Sequence, residues 1–381
     1  MPPSSSPSSF PSASSSSSTA TDIAEATSQA AKSIFSFAAK SLKTAAAAGT
    51  AAVNSRGDLR EMGAVAAGLF GAAAVTSVLT IGSTKVRIVR ELAQGGFGTV
   101  YVAEDLEGGT HQYALKQMLC QTREQLDDAH NELRALRRFA GHDHIVPLVD
   151  HGVAAAPGKP ASHKMAQMLF PLYPLGTCWD IVEHSLGSGD PWPFDRRRAL
   201  RVCLGVARAL DFMHDGGRGF AHRDVKPHNV LLQGADRAHA VLTDLGSVAP
   251  ARVSVATRQQ ALAVEDEAAC KTSAAYRAPE LSQAPQPPCV VDERVDVWGL
   301  GCTLYALAFG TSPFESAREG VLRLAILNGR FSFPAHYRHR DCQFGAAFAD
   351  LISDMLKLAA SDRPSAADVA ARCEQLLADG R

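Results

Sequence analysis

Apolar and polar residues alternate where the chain first takes on the pattern of a packed domain. Val86 and Ile88 fall at even positions among polar neighbours, which predicts a half-buried strand. The runs 100–103 and 113–116 are short and mostly apolar, so they predict two further strands. Between residues 123 and 139 the apolar positions recur at helical spacing, and a helix is therefore expected after the third strand.

Helical spacing of apolar residues dominates the chain beyond residue 195. The clearest helical stretches are 196–214, 293–309, 345–358 and 365–378. A strand-rich first part followed by a helical second part predicts an α+β protein with two lobes. The small N-terminal lobe is expected to be strand-rich and the large C-terminal lobe helical, in one domain over 85–378.

The N-terminal part of the chain differs from this domain in composition. Residues 1–20 are almost entirely Ser, Pro and Ala and carry no charge. Such a segment cannot bury enough apolar surface to offset its ordering entropy, so we predict a disordered region over 1–60. The segment 61–84 is rich in Ala and Gly, with no charge between 63 and 82. It is interpreted either as the lead-in to a strand at 78–81 or as a membrane segment, and both interpretations stay open.

Composition narrows the classes of function. The 381 residues include 38 basic and 39 acidic side chains, for a net charge of −1. This balance gives no general attraction to nucleic acid, so no nucleic-acid partner is expected. The 8 cysteines form no Cys-x-x-Cys pair, which favours reduced thiols in a cytosolic protein over a zinc site or a disulfide framework.

A glycine-rich turn lies between the first two strands predicted for the domain. Gly95 and Gly98 are followed by Val100, a spacing that lets backbone N–H groups approach phosphate oxygens without interference from a Cβ atom. Ala93 stands where a third glycine is usual, and its side chain is small. These four residues predict an ATP-binding hairpin, although such a turn alone also fits an ordinary loop.

Lys116 ends the third predicted strand, and Glu132 lies on the helix that follows it. A lysine ammonium at this place can contact the α- and β-phosphates of ATP, and it needs a carboxylate to orient it. We therefore predict that Lys116 and Glu132 pair and belong to the ATP-binding site.

Residues 222–229 read His-Arg-Asp-Val-Lys-Pro-His-Asn and carry the most specific signal in the chain. Asp224 is expected to orient an attacking hydroxyl and to accept its proton, while Lys226 neutralises the phosphoryl group in transfer. Asn229 would bind Mg²⁺ through its carbonyl oxygen. His222 is expected to pack within the loop. The pattern predicts a catalytic loop for phosphoryl transfer.

A second metal-binding position is expected at Asp244, in the run Thr-Asp-Leu-Gly at 243–246. Its carboxylate would bind the Mg²⁺ that bridges the β- and γ-phosphates. Leu245 stands where Phe is usual. Because that residue packs in the core, an apolar replacement leaves the role of Asp244 intact.

Three further charged residues and one hydroxyl complete the pattern. Glu280, in Tyr-Arg-Ala-Pro-Glu, is expected to pair with Arg363 and to fix the segment that receives substrate. Asp296 is expected to anchor the catalytic loop through backbone N–H groups. Ser273 lies three residues before Tyr276, where its hydroxyl would contact Asp224 on the substrate side.

These motifs together resemble the eukaryotic protein kinase superfamily across residues 85–378. The Ala-Gln-Gly-Gly-Phe loop at 93–97 and the stretches 259–270 and 289–298 are similar to the numb-associated kinase family in particular. The resemblance implies the two-lobed kinase fold, ATP and Mg²⁺, and protein Ser/Thr hydroxyls as acceptors. It also implies an extra helix in the activation segment, over 257–270.

Within that family the chain is similar to the short member that carries myristoyl and palmitoyl groups and is linked to Golgi membranes and trafficking. The sequence begins Met-Pro-Pro and lacks the glycine at position 2 that N-myristoylation requires, so this anchor is not carried over. We expect a cytoplasmic monomer that acts on protein substrates. Association with Golgi membranes or other endomembranes is left open.

Two other hypotheses stay open. The first is a pseudokinase that binds partners through the same fold, a class that usually lacks one of the reacting groups. The second is a membrane-anchored kinase whose first 82 residues serve as the anchor, which changes location and leaves the chemistry unchanged.

Overall fold

The computed structural model describes residues 78–95, 98–107, 109, 111–189, 192–214, 219–338 and 343–379. The disorder predicted over 1–60 and most of the candidate membrane segment lie outside these residues. Among the described residues, every helix is too short or too polar to cross a bilayer.

A six-stranded antiparallel sheet forms the N-terminal lobe, in the order β1-β2-β3-β4-β6-β5. The strand interpretation of 78–81 agrees with β1, and the runs 100–103 and 113–116 fall in β3 and β4. Alternate residues of these strands enclose a small apolar core that includes Ile88 and Leu115. The strands are β1 Val78–Ile81, β2 Thr84–Gly95, β3 Gly98–Asp105, β4 Gln112–Cys120, β5 Asp150–Ala155 and β6 Lys164–Pro171.

Helices build the C-terminal lobe, as the spacing of apolar residues predicted, so the two-lobed α+β fold is confirmed. The helices are α1 Arg123–Arg138, α2 Cys178–Ser188, α3 Arg196–His214, α4 Arg258–Lys271, α5 Pro279–Ser282, α6 Arg294–Phe309, α7 Arg323–Leu327, α8 Gly345–Met355 and α9 Ala366–Ala378. Short strands join them: β7 Phe220–Ala221, β8 Val230–Gln233, β9 His239–Leu242, β10 Ala249–Pro250, β11 Val253–Val255, β12 Cys289–Val291, β13 Glu315–Ser316 and β14 Gly320–Val321.

Helix α1 packs against the sheet and carries one of the predicted site residues. Thr122 caps its N-terminus in a capping box with Gln125, which satisfies backbone donors that the first turn leaves unpaired. Its buried face is apolar at Ala129 and Leu136, but it also includes the carboxylate of Glu132. A carboxylate on a buried helix face requires a charged partner, and this requirement points to the site.

Helix α6 is the centre of the C-terminal lobe. From Val295 to Phe309 every residue is buried, because other elements pack around the whole circumference of the helix. Trp298 stacks on Phe314 and fills this core. Asp296 lies in the first turn of α6 and is as buried as its apolar neighbours, so it too requires partners.

Helix α4 lies in the activation segment, where the family resemblance implied an additional helix over 257–270. Thr257 caps its N-terminus through the backbone N–H of Gln260. Ala261, Val264 and Ala268 form its buried face. The structure confirms a helix at this place, with bounds Arg258–Lys271.

The described cysteines are free thiols. They are Cys120, Cys178, Cys203, Cys270, Cys289, Cys302 and Cys373. Cys342 lies outside the described residues.

Candidate active site

Three charged side chains from both lobes meet at the cleft between them. Lys116 on β4 donates to Glu132 Oε1 and Oε2 at 2.7 and 2.9 Å. The same ammonium lies 3.1 Å from Asp244 Oδ1, in the loop after β9. The predicted pair between Lys116 and Glu132 is therefore formed, and Asp244 joins it. A pocket beside these groups is lined also by Met118 and Lys271.

The charges of this cluster support one another. Burial opposes the ammonium of Lys116, but the carboxylates of Asp244 and Glu132 raise its pKa above the ordinary value. Burial also opposes the charge on Asp244, yet Lys116 and Lys226 lower the pKa of Asp244 to about 2. Burial raises the pKa of Glu132 against the attraction of Lys116. At neutral pH the cleft thus offers a cation for phosphate and an ionised carboxylate for metal.

The catalytic loop holds the carboxylate of Asp224 by several donors at once. Lys226 Nζ donates to Oδ2 at 2.7 Å, and the backbone N–H of Ser273 donates to Oδ1 at 2.8 Å. Asn229 Nδ2 donates to the carbonyl oxygen of Asp224 at 2.8 Å. The predicted contact of the Ser273 hydroxyl with Asp224 takes another form, because the hydroxyl accepts from Lys226 Nζ at 2.7 Å and the backbone N–H of Ser273 meets Asp224.

Asp296 anchors this loop from helix α6, as predicted. It accepts the backbone N–H of His222 at 2.7 Å and that of Arg223 at 2.6 Å. His214 Nε2 lies 2.8 Å from the same carboxylate, a contact that sequence reasoning missed. Arg223 has φ +67°, and Asp244 has φ +61°. Such left-handed backbone costs on the order of 1–3 kcal/mol at a non-glycine residue, so the surrounding bonds must hold it.

His222 is buried within the loop, in the packing role that the sequence predicted. Its Nδ1 accepts the backbone N–H of Asp224 at 3.3 Å, and its Nε2 lies 3.2 Å from the carbonyl oxygen of Thr243. The ring therefore links the catalytic loop to the strand that leads to Asp244.

The glycine-rich hairpin joins β2 to β3. Ala93 pairs with Val100 across the hairpin, and Gly95 pairs with Gly98. Gly98 has φ +134°, and a Cβ there would lie 2.2 Å from the carbonyl oxygen of Gln117. Only glycine fits this position without strain. Residues 96 and 97 lie outside the described residues, and the contact of this hairpin with ATP stays a prediction.

Glu280 and Arg363 form the pair that the sequence predicted. Arg363 Nη1 and Nη2 donate to the Glu280 carboxylate at 2.7 and 2.9 Å. The guanidinium is fully buried and also donates to the backbone carbonyl oxygens of Lys357, Arg294 and Leu358. The segment that follows Ser273 is thus fixed to the C-terminal lobe.

Sequence reasoning did not find the contacts of helix α4 with its surroundings. Lys271 lies 3.1 Å from Asp128 on α1, and Glu267 lies 3.5 Å from Arg223 in the catalytic loop. The i,i+4 spacing of Glu267 and Lys271 was the available signal. It showed only that the two charges share one face of a helix.

Comparison with known proteins agrees with this geometry. A family model for the protein kinase domain matches residues 86–373. Serine/threonine-protein kinase 16 of Mus musculus is 36% identical over 286 residues, which cover 74% of this chain and 88% of the relative. The Homo sapiens protein of the same name has the same identity and coverage. Serine/threonine-protein kinase ppk13 of Schizosaccharomyces pombe is 26% identical over 330 residues, covering 78% of this chain and 92% of the relative.

Proposed function

Since this chain belongs to the protein kinase family and is a serine/threonine protein kinase, we propose that it uses ATP and Mg²⁺ to phosphorylate protein Ser and Thr hydroxyls. One observation carries the proposal. The Asp224 carboxylate is held by Lys226, Asn229 and Ser273, in the same cleft as the charged cluster of Lys116.

Each side chain has a part in the transfer. Asp224 Oδ1 and Oδ2 orient the substrate hydroxyl and accept its proton as the oxygen attacks the γ-phosphorus. Lys226, 2.7 Å from Asp224, neutralises negative charge on the phosphoryl group. Lys116, oriented by Glu132, contacts the α- and β-phosphates. The bond from the γ-phosphorus to the β,γ-bridging oxygen breaks, and ADP leaves.

The residues present fit a Mg²⁺ ion. The amide nitrogen of Asn229 is used by Asp224, which leaves the carbonyl oxygen Oδ1 for a cation. The pKa of Asp244 at about 2 keeps its carboxylate ionised. Carboxylate and amide oxygens are the hard ligands that Mg²⁺ takes, and a bound ion would neutralise phosphate charge.

The pseudokinase hypothesis is disfavoured by the same groups. A kinase fold that only binds partners does not need Lys116, Asp224, Asn229 and Asp244 together. Here all four are present, and Lys116 is already paired with Glu132. The arrangement favours catalysis over binding alone.

A transfer assay tests the proposal. The full chain is incubated with labelled ATP, Mg²⁺ and casein, beside the Asp224→Asn variant and a sample with excess EDTA. We expect phosphate transfer by the wild type, a loss of about 10²- to 10⁴-fold in kcat for Asp224→Asn, and no transfer with EDTA. A wild-type rate no higher than that of Asp224→Asn would sink the enzymatic proposal and favour the pseudokinase.

We infer that the chain belongs to the numb-associated kinases and acts in membrane trafficking as a monomer. The position of helix α4 in the activation segment and the resemblance of residues 93–97 support this inference. For location we propose the cytoplasm, with contact to Golgi or other endomembranes through the N-terminal region.

Cell fractionation tests the proposed location. The full chain is compared with a shortened chain of residues 78–381, which keeps strand β1 in the sheet. We expect membrane-bound protein only for the full chain, and size-exclusion chromatography should give the mass of a monomer for both. Full chain that stays entirely in the soluble fraction would contradict the membrane contact.

A further inference from the structure

The chain that follows Ser273 forms a tight turn on the substrate side of the catalytic carboxylate. The backbone N–H of Ser273 donates to Asp224, and the turn spans Ala274–Tyr276. The N–H of Tyr276 closes it by donating to the carbonyl oxygen of Ser273 at 2.9 Å. Ala274 is exposed, whereas the two residues after it are buried. A substrate chain whose hydroxyl reaches Asp224 therefore passes close to Ala274.

The inner side of this turn is held by a hydroxyl from a different part of the chain. Ser312 lies two residues after Gly310, which caps the C-terminal end of helix α6. The Oγ of Ser312 donates to the carbonyl oxygen of Ala275 at 2.6 Å. Ser312 is only 1% exposed, so water does not replace this bond easily. Without the hydroxyl, the carbonyl oxygen of Ala275 would be left desolvated and unsatisfied.

The hydroxyl of Ser312 is itself fixed in place. Its Oγ accepts the backbone N–H of Phe314 at 3.3 Å, and its carbonyl oxygen accepts that of Glu315 at 3.2 Å. The ring of Phe314 is fully buried and stacks on Trp298 of α6, with 5.0 Å between the ring centroids. Ser312 thus connects the packed core of the C-terminal lobe to Ala275.

Gly299 on α6 shows how closely the turn and the catalytic loop approach this core. A Cβ at Gly299 would lie 3.0 Å from the carbonyl oxygen of Val225 in the catalytic loop and 3.7 Å from that of Tyr276 in the turn. Both segments therefore pack on α6 at the same place. Since α6 supports both, a displacement of the turn from α6 also displaces it from Asp224.

We propose that Ser312 is a positioning residue for the protein substrate. Its bond to Ala275 keeps the turn in place beside Asp224, so that the acceptor chain meets a binding surface that is already formed. Lys116 and Glu132 lie on β4 and α1, away from α6 and the turn. Loss of the bond should therefore weaken binding of the acceptor and spare binding of ATP. The inference rests on the proposed kinase activity.

The test compares two buried hydroxyls that each donate to a backbone carbonyl oxygen. Ser312→Ala removes the bond to Ala275. Thr303→Val is the matched control, because Thr303 is fully buried on α6 and its Oγ1 donates to the carbonyl oxygen of Gly299 at 2.8 Å, within the same helix. Initial rates of the full-length proteins, with casein or ATP varied while the other is saturating, give kcat and both KM values. Thermal unfolding gives Tm.

We expect Ser312→Ala to raise the KM for casein about 5- to 20-fold relative to Thr303→Val, with a KM for ATP within about twofold of wild type. The Tm values of the two variants should be similar, because each variant loses one buried hydrogen bond. Ser312→Thr keeps the hydroxyl and should recover part of the affinity for casein. A purely structural role of Ser312 would lower Tm without separating the two KM values.

Hydrogen exchange followed by mass spectrometry gives a second readout, which does not depend on activity. The backbone N–H groups of Tyr276 and Arg277 donate to the carbonyl oxygens of Ser273 and Ala274 within the turn. These amides should exchange about 5-fold faster or more in Ser312→Ala than in Thr303→Val, because the turn opens more often without its inner bond.

Two results would overturn the inference. One is an active Ser312→Ala whose KM for casein equals that of Thr303→Val. The other is equal exchange of the turn amides in the two variants. A wild type no more active than Asp224→Asn would instead refute the kinase activity itself, and the positioning role with it, whatever the exchange of the turn.

Discussion

Individual residues matter most here where the backbone comes close to another group. Gly98 begins β3 with a positive φ, and its α-carbon faces the carbonyl oxygen of Gln117. Gly95, on the other side of the hairpin, has nothing within 4 Å of an added Cβ. The two glycines look equivalent in the sequence, but the fold requires a glycine only at position 98. At position 95 there is free space beside the backbone, where a ligand of the hairpin could lie.

Alanine substitutions should therefore separate the two glycines. Gly98→Ala should destabilise the N-terminal lobe by about 1–3 kcal/mol, because the methyl group collides with Gln117 and φ is positive. Gly95→Ala should leave Tm unchanged, because the methyl group meets no atom of the protein within 4 Å, and should raise the KM for ATP if the phosphates bind at the hairpin as predicted. Thermal unfolding and ATP titration of the rate measure both effects. Equal Tm values for the two variants would contradict this account of the hairpin.

Departures from the usual kinase motifs spare the reacting groups. Leu245 follows Asp244 where Phe is usual, and it is buried in the large apolar core. Ala93 is buried in β2 opposite Val100. Both positions need an apolar side chain of suitable size, so the exchanges change packing and leave Asp244 and the hairpin in place.

At the scale of elements, ion pairs determine how the activation segment joins the C-terminal lobe. Helix α5 starts just after Ala278, and its Glu280 meets Arg363 in the turn before α9. Arg363 lies over the ring of Trp298 on α6, 5.0 Å from the ring centroid. The guanidinium is surrounded by five acceptor contacts and is fully buried, so it cannot turn to solvent.

Glu280→Ala should cost about 3–5 kcal/mol of stability, because it leaves the buried charge of Arg363 without a counter-charge. The matched control is Glu374→Ala, which breaks the pair with Arg208 on the surface, where both side chains are about half exposed. That variant should cost less than about 1 kcal/mol. Thermal unfolding of the two variants provides the comparison. Similar Tm losses would mean that burial does not distinguish the pairs.

At the scale of the whole molecule, the edge strand β1 is attached to β5, which lies at the opposite end of the strand order. The turn after β1 is held by Asp150, the first residue of β5. One of its oxygens accepts the backbone N–H and hydroxyl of Ser83 and of Thr84, at 2.8–3.1 Å. The other accepts the N–H of His151 at 2.8 Å. These donors outweigh the burial that opposes the charge, and they lower the pKa of Asp150 to about 2.

The stability that Asp150 contributes should depend on pH in a defined window. Its pKa is lower in the folded than in the unfolded chain, so the contribution is complete above about pH 4 and fades as pH falls toward 2. Asp150→Asn should cost about 1–2 kcal/mol at pH 7. The difference from wild type should shrink below about pH 4, as followed by thermal unfolding.

Asp266→Asn controls for the loss of a carboxylate at an exposed position. We expect that variant to follow the stability of the wild type at every pH, because Asp266 is exposed on α4 and an exposed carboxylate contributes little to stability. A constant difference between Asp150→Asn and wild type down to pH 2.5 would show that the charge of Asp150 is not what stabilises the turn.

The sequence by itself predicted the candidate reacting groups and the elements that carry them. Asp224, Lys226 and Asn229 lie within one run of eight residues, so their spacing alone predicted a catalytic loop. Apolar periodicity gave the strands and helices, because burial on one face of an element repeats at a regular interval.

Beyond the predicted pairs of Lys116 with Glu132 and of Glu280 with Arg363, only the tertiary structure decided which charges meet. Lys116 and Asp244 are 128 positions apart, and Lys271 and Asp128 are 143 positions apart. No period in the sequence links such residues, since their contact depends on how elements pack. Burial also decides what a charge contributes, because a desolvated charge must have a partner while an exposed one need not. Glu267 and Asp266 are both exposed neighbours on α4, and only the packing of the helix showed that Glu267 lies 3.5 Å from Arg223.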